Sequence, residues 1–110
     1  MSNAATIAKL NDLFRKDPCR YGKIYTTDGV AAHGPEFVLR ALAATAAFAN
    51  FTEDNDPHGE HDFGSFELDG EKLFWKIDYY DQDDPDLSAD DPSSPATTER
   101  VLTVMLADEY

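Results

Sequence analysis

Asp69 followed by Gly70, set between two runs of alternating polar and apolar residues, constrains this chain more than any other feature of it. A two-residue loop of this composition closes a β-hairpin through a type I′ turn, because both turn residues must take positive φ and these two tolerate it. The turn predicts strands over 62–68 and 71–80 and dictates which residues face each other. Leu68 opposes Glu71, Glu67 opposes Lys72, Phe66 opposes Leu73, Ser65 opposes Phe74 and Gly64 opposes Trp75. Opposite charges then meet at Glu67 and Lys72, which supports the register. One face collects Phe66, Leu68, Leu73, Trp75, Ile77 and Tyr79 and is the expected core face. The other collects Phe63, Ser65, Glu67, Lys72, Phe74, Lys76, Asp78 and Tyr80. Extended backward, the same register sets His61 across from Asp78.

The chain before the hairpin reads as helical. Ile7, Leu10, Leu13 and Phe14 recur at helical spacing, Ser2 or Asn3 can cap the start, and Asp17 with Pro18 supplies the stop, which predicts a helix over 4–16. Residues 21–27 (YGKIYTT) are aromatic and β-branched and run into Asp28 and Gly29, a short strand closed by a turn. A second helix, over 35–50, opens with Pro35 at its first position, where the missing N–H costs nothing. Its alanines permit close packing on a sheet. Behind the hairpin, RVLTVMLA alternates and is rich in β-branched residues, which predicts a last strand over 99–107. The expected architecture is a single α+β domain over 1–110: an antiparallel sheet of about four strands with two helices packed on one face.

Charge decides what such a fold can meet. Residues 53–91 hold 15 of the 22 acidic residues against two lysines, a formal charge of −13, which equals that of the whole chain. A field of one sign speaks to partners and solubility rather than to fold. It repels nucleic acid and anionic membrane and favours a basic protein surface. With 42 % hydrophobic residues the chain can still offset its ordering entropy. Cys19 stands alone, so no internal disulfide forms, and no stretch has the build of a signal peptide. A cytoplasmic setting is expected. The apolar run over 37–51 is interrupted by Arg40 and falls short of the ~20 residues that span a bilayer.

The run NDPHGEHDFGSFELDGEKLFWKIDYYD (55–81), together with TTERVLTVMLADEY (97–110), resembles a small bacterial family known as domain of unknown function 3768, found mostly in alphaproteobacteria and often on plasmids. The resemblance covers nearly the whole chain and is loosest at the start and over 82–96. It implies an origin and brings no activity, cofactor or catalytic residue with it.

The segment 54–62 (DNDPHGEHD) is where chemistry would sit. Imidazole and carboxylate together suit a transition metal, and His58, His61 and Asp62 are the candidate ligands. Pro57 and Gly59 rule out the helical two-histidine geometry of metalloproteases. Asp54, Asp56 and Gly59 fit the first half of a calcium loop, but His58 and Ser65 stand where it needs an oxygen ligand and a bidentate glutamate. As an acid/base site, His61 with Asp78 across the sheet and Glu60 beside it would make an oriented imidazole. Ser65 lies four residues along the strand, ~13 Å away, too far to complete a triad. His33 reads as a loop residue.

Residues 81–97 read as an exposed acidic loop, with Asp81, Asp83, Asp84, Asp86, Asp90 and Asp91 and no base before Arg100. Phe63, Phe74 and Tyr80 would stand among charges on the non-core face, as aromatic residues at protein contacts do. The expected function is a non-enzymatic module that binds a basic protein surface through these residues, in its sharpest form a nucleic-acid mimic acting against a host defence enzyme. The alternative is a small metal-dependent or acid/base enzyme centred on HGEHD. No motif calls for a cofactor. The two acidic segments should lie at the same end of the sheet, because a two-residue turn joins the strands between them.

Overall fold

The computed structural model describes residues 3–110. Helix α1 (Ala4–Lys16) leads directly into a short helix α2 (Pro18–Tyr21), then strand β1 (Gly22–Thr26), a short helix α3 (Asp28–Ala31) and helix α4 (Pro35–Ala47). Strands β2 (Phe63–Leu68), β3 (Glu71–Asp81) and β4 (Thr98–Leu106) follow, with a 3-10 turn at Ala107–Glu109. The protein is α+β.

The hairpin forms in the register its turn demands, from Leu68 opposite Glu71 to Phe63 opposite Lys76. Asp69 and Gly70 both take positive φ, 53° and 81°, as a type I′ turn requires. Leu73, Trp75 and Ile77 are buried on the core face, and Phe66, Leu68 and Tyr79 pack against them.

The sheet is mixed rather than antiparallel. Its strand order is β1-β4-β3-β2, and β1 runs parallel to β4 while the other neighbours are antiparallel. Adjacency here is decided by where a long connection returns. β4 inserts between β1 and β3, and the buried Leu102 and Val104 suit that central place.

The local boundaries depart from expectation for identifiable reasons. Pro18 does not end helical structure but starts α2, at the first position where its ring is accommodated. Tyr21 therefore belongs to a helix and the strand begins at Gly22. Asp28 and Gly29 open α3 rather than forming a turn, so two short helices join the two long ones. Helix α4 ends at Ala47, not at 50, because Phe48 turns extended (φ −58°, ψ 130°) and its ring meets Trp75 edge-on at 5.6 Å. At the start of α1 no side chain caps the helix from Asn3, and Ser2 lies outside the described residues.

Helix α1 holds the largest correction to the core. Its buried row is Ile7, Ala8, Asn11, Phe14 and Arg15, while Leu13 is 43 % exposed. Two polar residues thus hold positions that the apolar spacing assigns to leucines. The apolar core of Phe14, Val30, Phe37, Ala41, Leu73, Trp75, Ile77, Leu102 and Val104 lies between helices and sheet.

Gly64 faces Trp75 closely enough that a Cβ added there would come to 2.4 Å from the indole Nε1. Gly64→Ala is therefore expected to cost about 1–3 kcal/mol, as overpacking does. Gly70→Asn should cost well under half of that, since Asn tolerates positive φ and nothing lies within 4 Å of the added Cβ. Urea unfolding of both variants measures the difference, and equal losses would contradict the close glycine and tryptophan contact.

Candidate functional site

Asn11 is the hub of a polar network that ties α1 to the sheet and to both acidic segments. It is fully buried. Its Oδ1 accepts from Arg100 Nε at 2.8 Å, and its Nδ2 donates to the Tyr79 hydroxyl oxygen at 2.8 Å and to the Glu60 carbonyl at 2.9 Å. Tyr79 donates its hydroxyl proton to Glu60 Oε1 at 3.1 Å, and the Arg100 guanidinium lies over the Tyr79 ring and donates to the Pro92 carbonyl. Burial raises the Tyr79 phenol above its ordinary range and lowers the Arg100 guanidinium below its own. Buried polar groups of this kind hold a structure only when their partners are supplied, and here Glu60 and Pro92 supply part of them.

Arg15 does the same for the other side of the helix. Its guanidinium lies over Trp75 at 4.7 Å, donates to the Thr45 and Phe48 carbonyls at the end of α4, and donates to Asp12 at 2.8 Å. The carbonyls at a helix C-terminus carry partial negative charge, so a cation is well placed there. Asp12 also meets His61 Nδ1 at 2.9 Å, and His61 Nε2 lies 3.7 Å from Asp56. The imidazole stacks flat on Phe51, with centroids 3.8 Å apart.

These contacts overturn the expected pairing of His61 with Asp78. His61 has φ 56° and gives its N–H to the Asp56 carboxylate, which turns the chain off the line of β2. Asp78 sits opposite Val101 and pairs with Lys76 at 3.0 Å. Asp56 is the organiser of the histidine turn, accepting from the backbone of both Glu60 and His61. Among the described residues no group of three or more His, Cys, Asp or Glu side chains could hold a metal ion, so His58, His61 and Asp62 form no ligand set. His61 borders a pocket of about 370 Å³ with Asp12, Arg15, Lys16, Phe48 and Phe51. That is an imidazole oriented by a carboxylate, without a hydroxyl or thiol in the pocket wall to serve as nucleophile.

The two acidic segments meet along one edge of β3. Just before β2 begins, the Asp62 carbonyl accepts from the Ile77 N–H at 2.8 Å. Two residues on, the Tyr79 carbonyl accepts from Ala89, Asp81 donates to the Leu87 carbonyl, and Ser88 bridges Tyr80. Residues 87–89 thus continue the edge that the histidine turn begins. Asp83, Asp84, Asp86, Asp90 and Asp91 are exposed, and Asp81 is half-buried. Three of these also shape the loop: Asp81, Asp84 and Asp91 accept backbone N–H groups two or three residues ahead.

On the non-core face, Phe63 and Phe74 pack at 5.2 Å, and Tyr110 covers both, at 5.8 and 5.4 Å. Lys23 with Glu99 and Lys76 with Asp78 form ion pairs across the same face. The helices place their buried apolar residues in the core on the opposite face. Tyr80 is half-buried beside the acidic loop.

Sequence reasoning missed Asn11, Asp12, Arg15, Phe51, Arg100 and Tyr110. A signal existed for two of them. Arg15 follows Ile7 and Asn11 at intervals of four, and Arg100 shares the inward parity of Leu102 and Val104.

The fold defines an α+β protein built on a four-stranded mixed sheet, and among the described residues no helix is long and apolar enough to cross a membrane. Residues 26–109 match the family described as Protein of unknown function (DUF3768), and the chain belongs to that family. No curated protein and no solved structure matches it.

The Asp62 carboxyl is raised above the ordinary aspartate range by burial first and then by Glu60. In the folded state it keeps its proton to higher pH than in the unfolded chain. Stability contributed by this group therefore falls as pH rises through the window between the two values. Asp62→Asn is expected to be more stable than the parent near neutral pH, with the gain shrinking as pH drops below the ordinary aspartate range. Urea unfolding at both pH values tests this, and a gain independent of pH would contradict it.

Proposed function

We propose that this protein is a non-enzymatic module that binds a basic protein surface through its acidic edge. The observation that carries the reading is the junction at β3, where Asp62 and Ala89 bond to strand positions two residues apart and bring both acidic segments together. At physiological ionic strength charges more than ~8 Å apart are screened from each other. Scattered carboxylates would act singly, whereas charges gathered at one edge act together on an approaching surface. The exposed aspartates beside it suit a basic groove of the kind that nucleic-acid-binding enzymes present to phosphates. Phe63, Phe74 and Tyr80 lie beside the edge and supply apolar contact.

The alternative, an acid/base enzyme at the histidine turn, has in its favour the His61 ring held by Asp12 beside a pocket. Against it, the ring's other nitrogen faces Asp56, and the pocket wall offers no hydroxyl or thiol for the imidazole to activate.

Fluorescence anisotropy with a labelled decalysine peptide, measured across a salt titration, tests the binding reading. Replacing Asp83, Asp84, Asp86 and Asp90 by Asn is expected to weaken binding about tenfold, at about 0.35 kcal/mol for each charge. Neutralising Asp17, Asp28, Glu36 and Glu67, which are exposed elsewhere, should change it much less. Equal losses from the two sets would show that only net charge matters and would remove the basis for a localised site.

A further inference from the structure

The apolar part of the proposed binding face is only partly open, with Phe63 and Phe74 half-buried. Phe63 begins β2 immediately after the acidic turn, and Phe74 lies on the same face, but the Tyr110 ring sits over both. Met105, opposite Phe74 on that face, is only 3 % exposed. Tyr110 itself remains 73 % exposed, so it gains little burial from the place it holds.

What holds it there is Glu109. Its carboxylate accepts from the Thr27 hydroxyl at 2.6 Å, from the Gly29 N–H at 3.0 Å and from the Leu106 N–H at 2.9 Å. These bonds pull the Glu109 carboxyl below its ordinary range, the Thr27 bond contributing most. The clasp also requires Gly29, where a Cβ would meet the carboxylate at 2.6 Å. Every bond in it lies at the surface. Exposed charge-assisted bonds compete with water and are opened at small cost, unlike the buried bonds of Arg15 and Arg100.

We propose that residues 107–110 form a strap, clasped by Glu109, that covers the Phe63 and Phe74 rings until a basic partner docked on the acidic edge displaces Tyr110. The inference rests on the binding reading above, and it adds a regulated apolar anchor to that site. The acidic edge and the covered rings adjoin at Asp62 and Phe63, so one partner carrying basic and apolar side chains can meet both. An occupant of that chemistry is favoured over a second copy of this chain, whose own acidic edge would be brought close to the first.

Two measurements test the strap. In the first, the neutral dye Nile red reports uncovered apolar surface, and nuclear Overhauser contacts report Tyr110 against Phe74. Glu109→Gln and Gly29→Ala are expected to raise dye fluorescence several-fold and to abolish those contacts, with the unfolding midpoint nearly unchanged. Persistence of the contacts in both variants overturns the clasp. In the second, a labelled peptide of alternating lysine and leucine is the binding probe. Tyr110→Ala is expected to tighten binding roughly fivefold, the factor that follows from removing a ring contact of about 1 kcal/mol, while Phe74→Ala weakens it. If Tyr110→Ala weakens binding as Phe74→Ala does, Tyr110 is part of the contact surface and the strap is wrong. Tighter binding by Tyr110→Ala together with no effect of neutralising the aspartate loop would uphold the strap and defeat the acidic-edge reading, so the two failures are separable.

Discussion

Asn11, with the guanidinium groups of Arg15 and Arg100 on either side of it, is the interaction on which the rest of this structure depends. A chain with a formal charge of −13 must keep its acidic segments from driving the fold apart. It does so by placing two cations inside, 3 % exposed each, and by letting the acidic segments supply carbonyls to Arg100 and Asn11. Arg100 takes the Pro92 carbonyl behind the aspartate loop, Asn11 takes the Glu60 carbonyl, and Arg15 reaches the histidine turn through Asp12. A buried donor left without its partner costs about 1–3 kcal/mol. Detaching either acidic segment therefore strands buried groups, and that cost holds the segments against their mutual repulsion.

The placement has a functional consequence. Were the acidic residues only solvated, they would form a diffuse negative surface. Anchored at Asp62 and at residues 87–89 on successive positions of β3, they form an edge. The charges of Asp83, Asp84, Asp86, Asp90 and Asp91 stay in water, where they cost little, while the backbone of the edge is bonded to the sheet. Beside this edge the aromatic residues of the open face are covered by one exposed ring, Tyr110. In the binding reading proposed above, a firmly held charged edge next to a weakly covered apolar patch would let a partner dock first by charge and then by contact.

Much of the sheet is legible in the sequence, and the reason is locality. Asp69 and Gly70 determine a register through turn geometry alone, and from there parity assigns Leu73, Trp75 and Ile77 to the core. The parallel pairing of β1 with β4 is not legible, because the chain between them is long and nothing local in Gly22–Thr26 states a direction. The extension of the hairpin register to His61 fails for a related reason. Parity arguments hold only while the backbone stays extended, and His61, at φ 56° with its N–H taken by Asp56, has left the strand. The site residues on α1 escape notice because Asn11 and Arg15 are polar types in buried positions, and apolar spacing points to Leu13 instead.

Amide hydrogen exchange at Ile77, Asp81 and Ala89 tests the central claim most directly, since each of these N–H groups bonds across the junction where acidic segments and β3 meet. All three are expected to exchange far more slowly than free peptide in the parent protein. In Asn11→Ala they should lose protection together while Phe74 and Val104, inside the sheet, retain theirs. Exchange of Ala89 at the free-peptide rate in the parent, or loss of protection at Ala89 without any change at Ile77, would contradict a single anchored acidic edge.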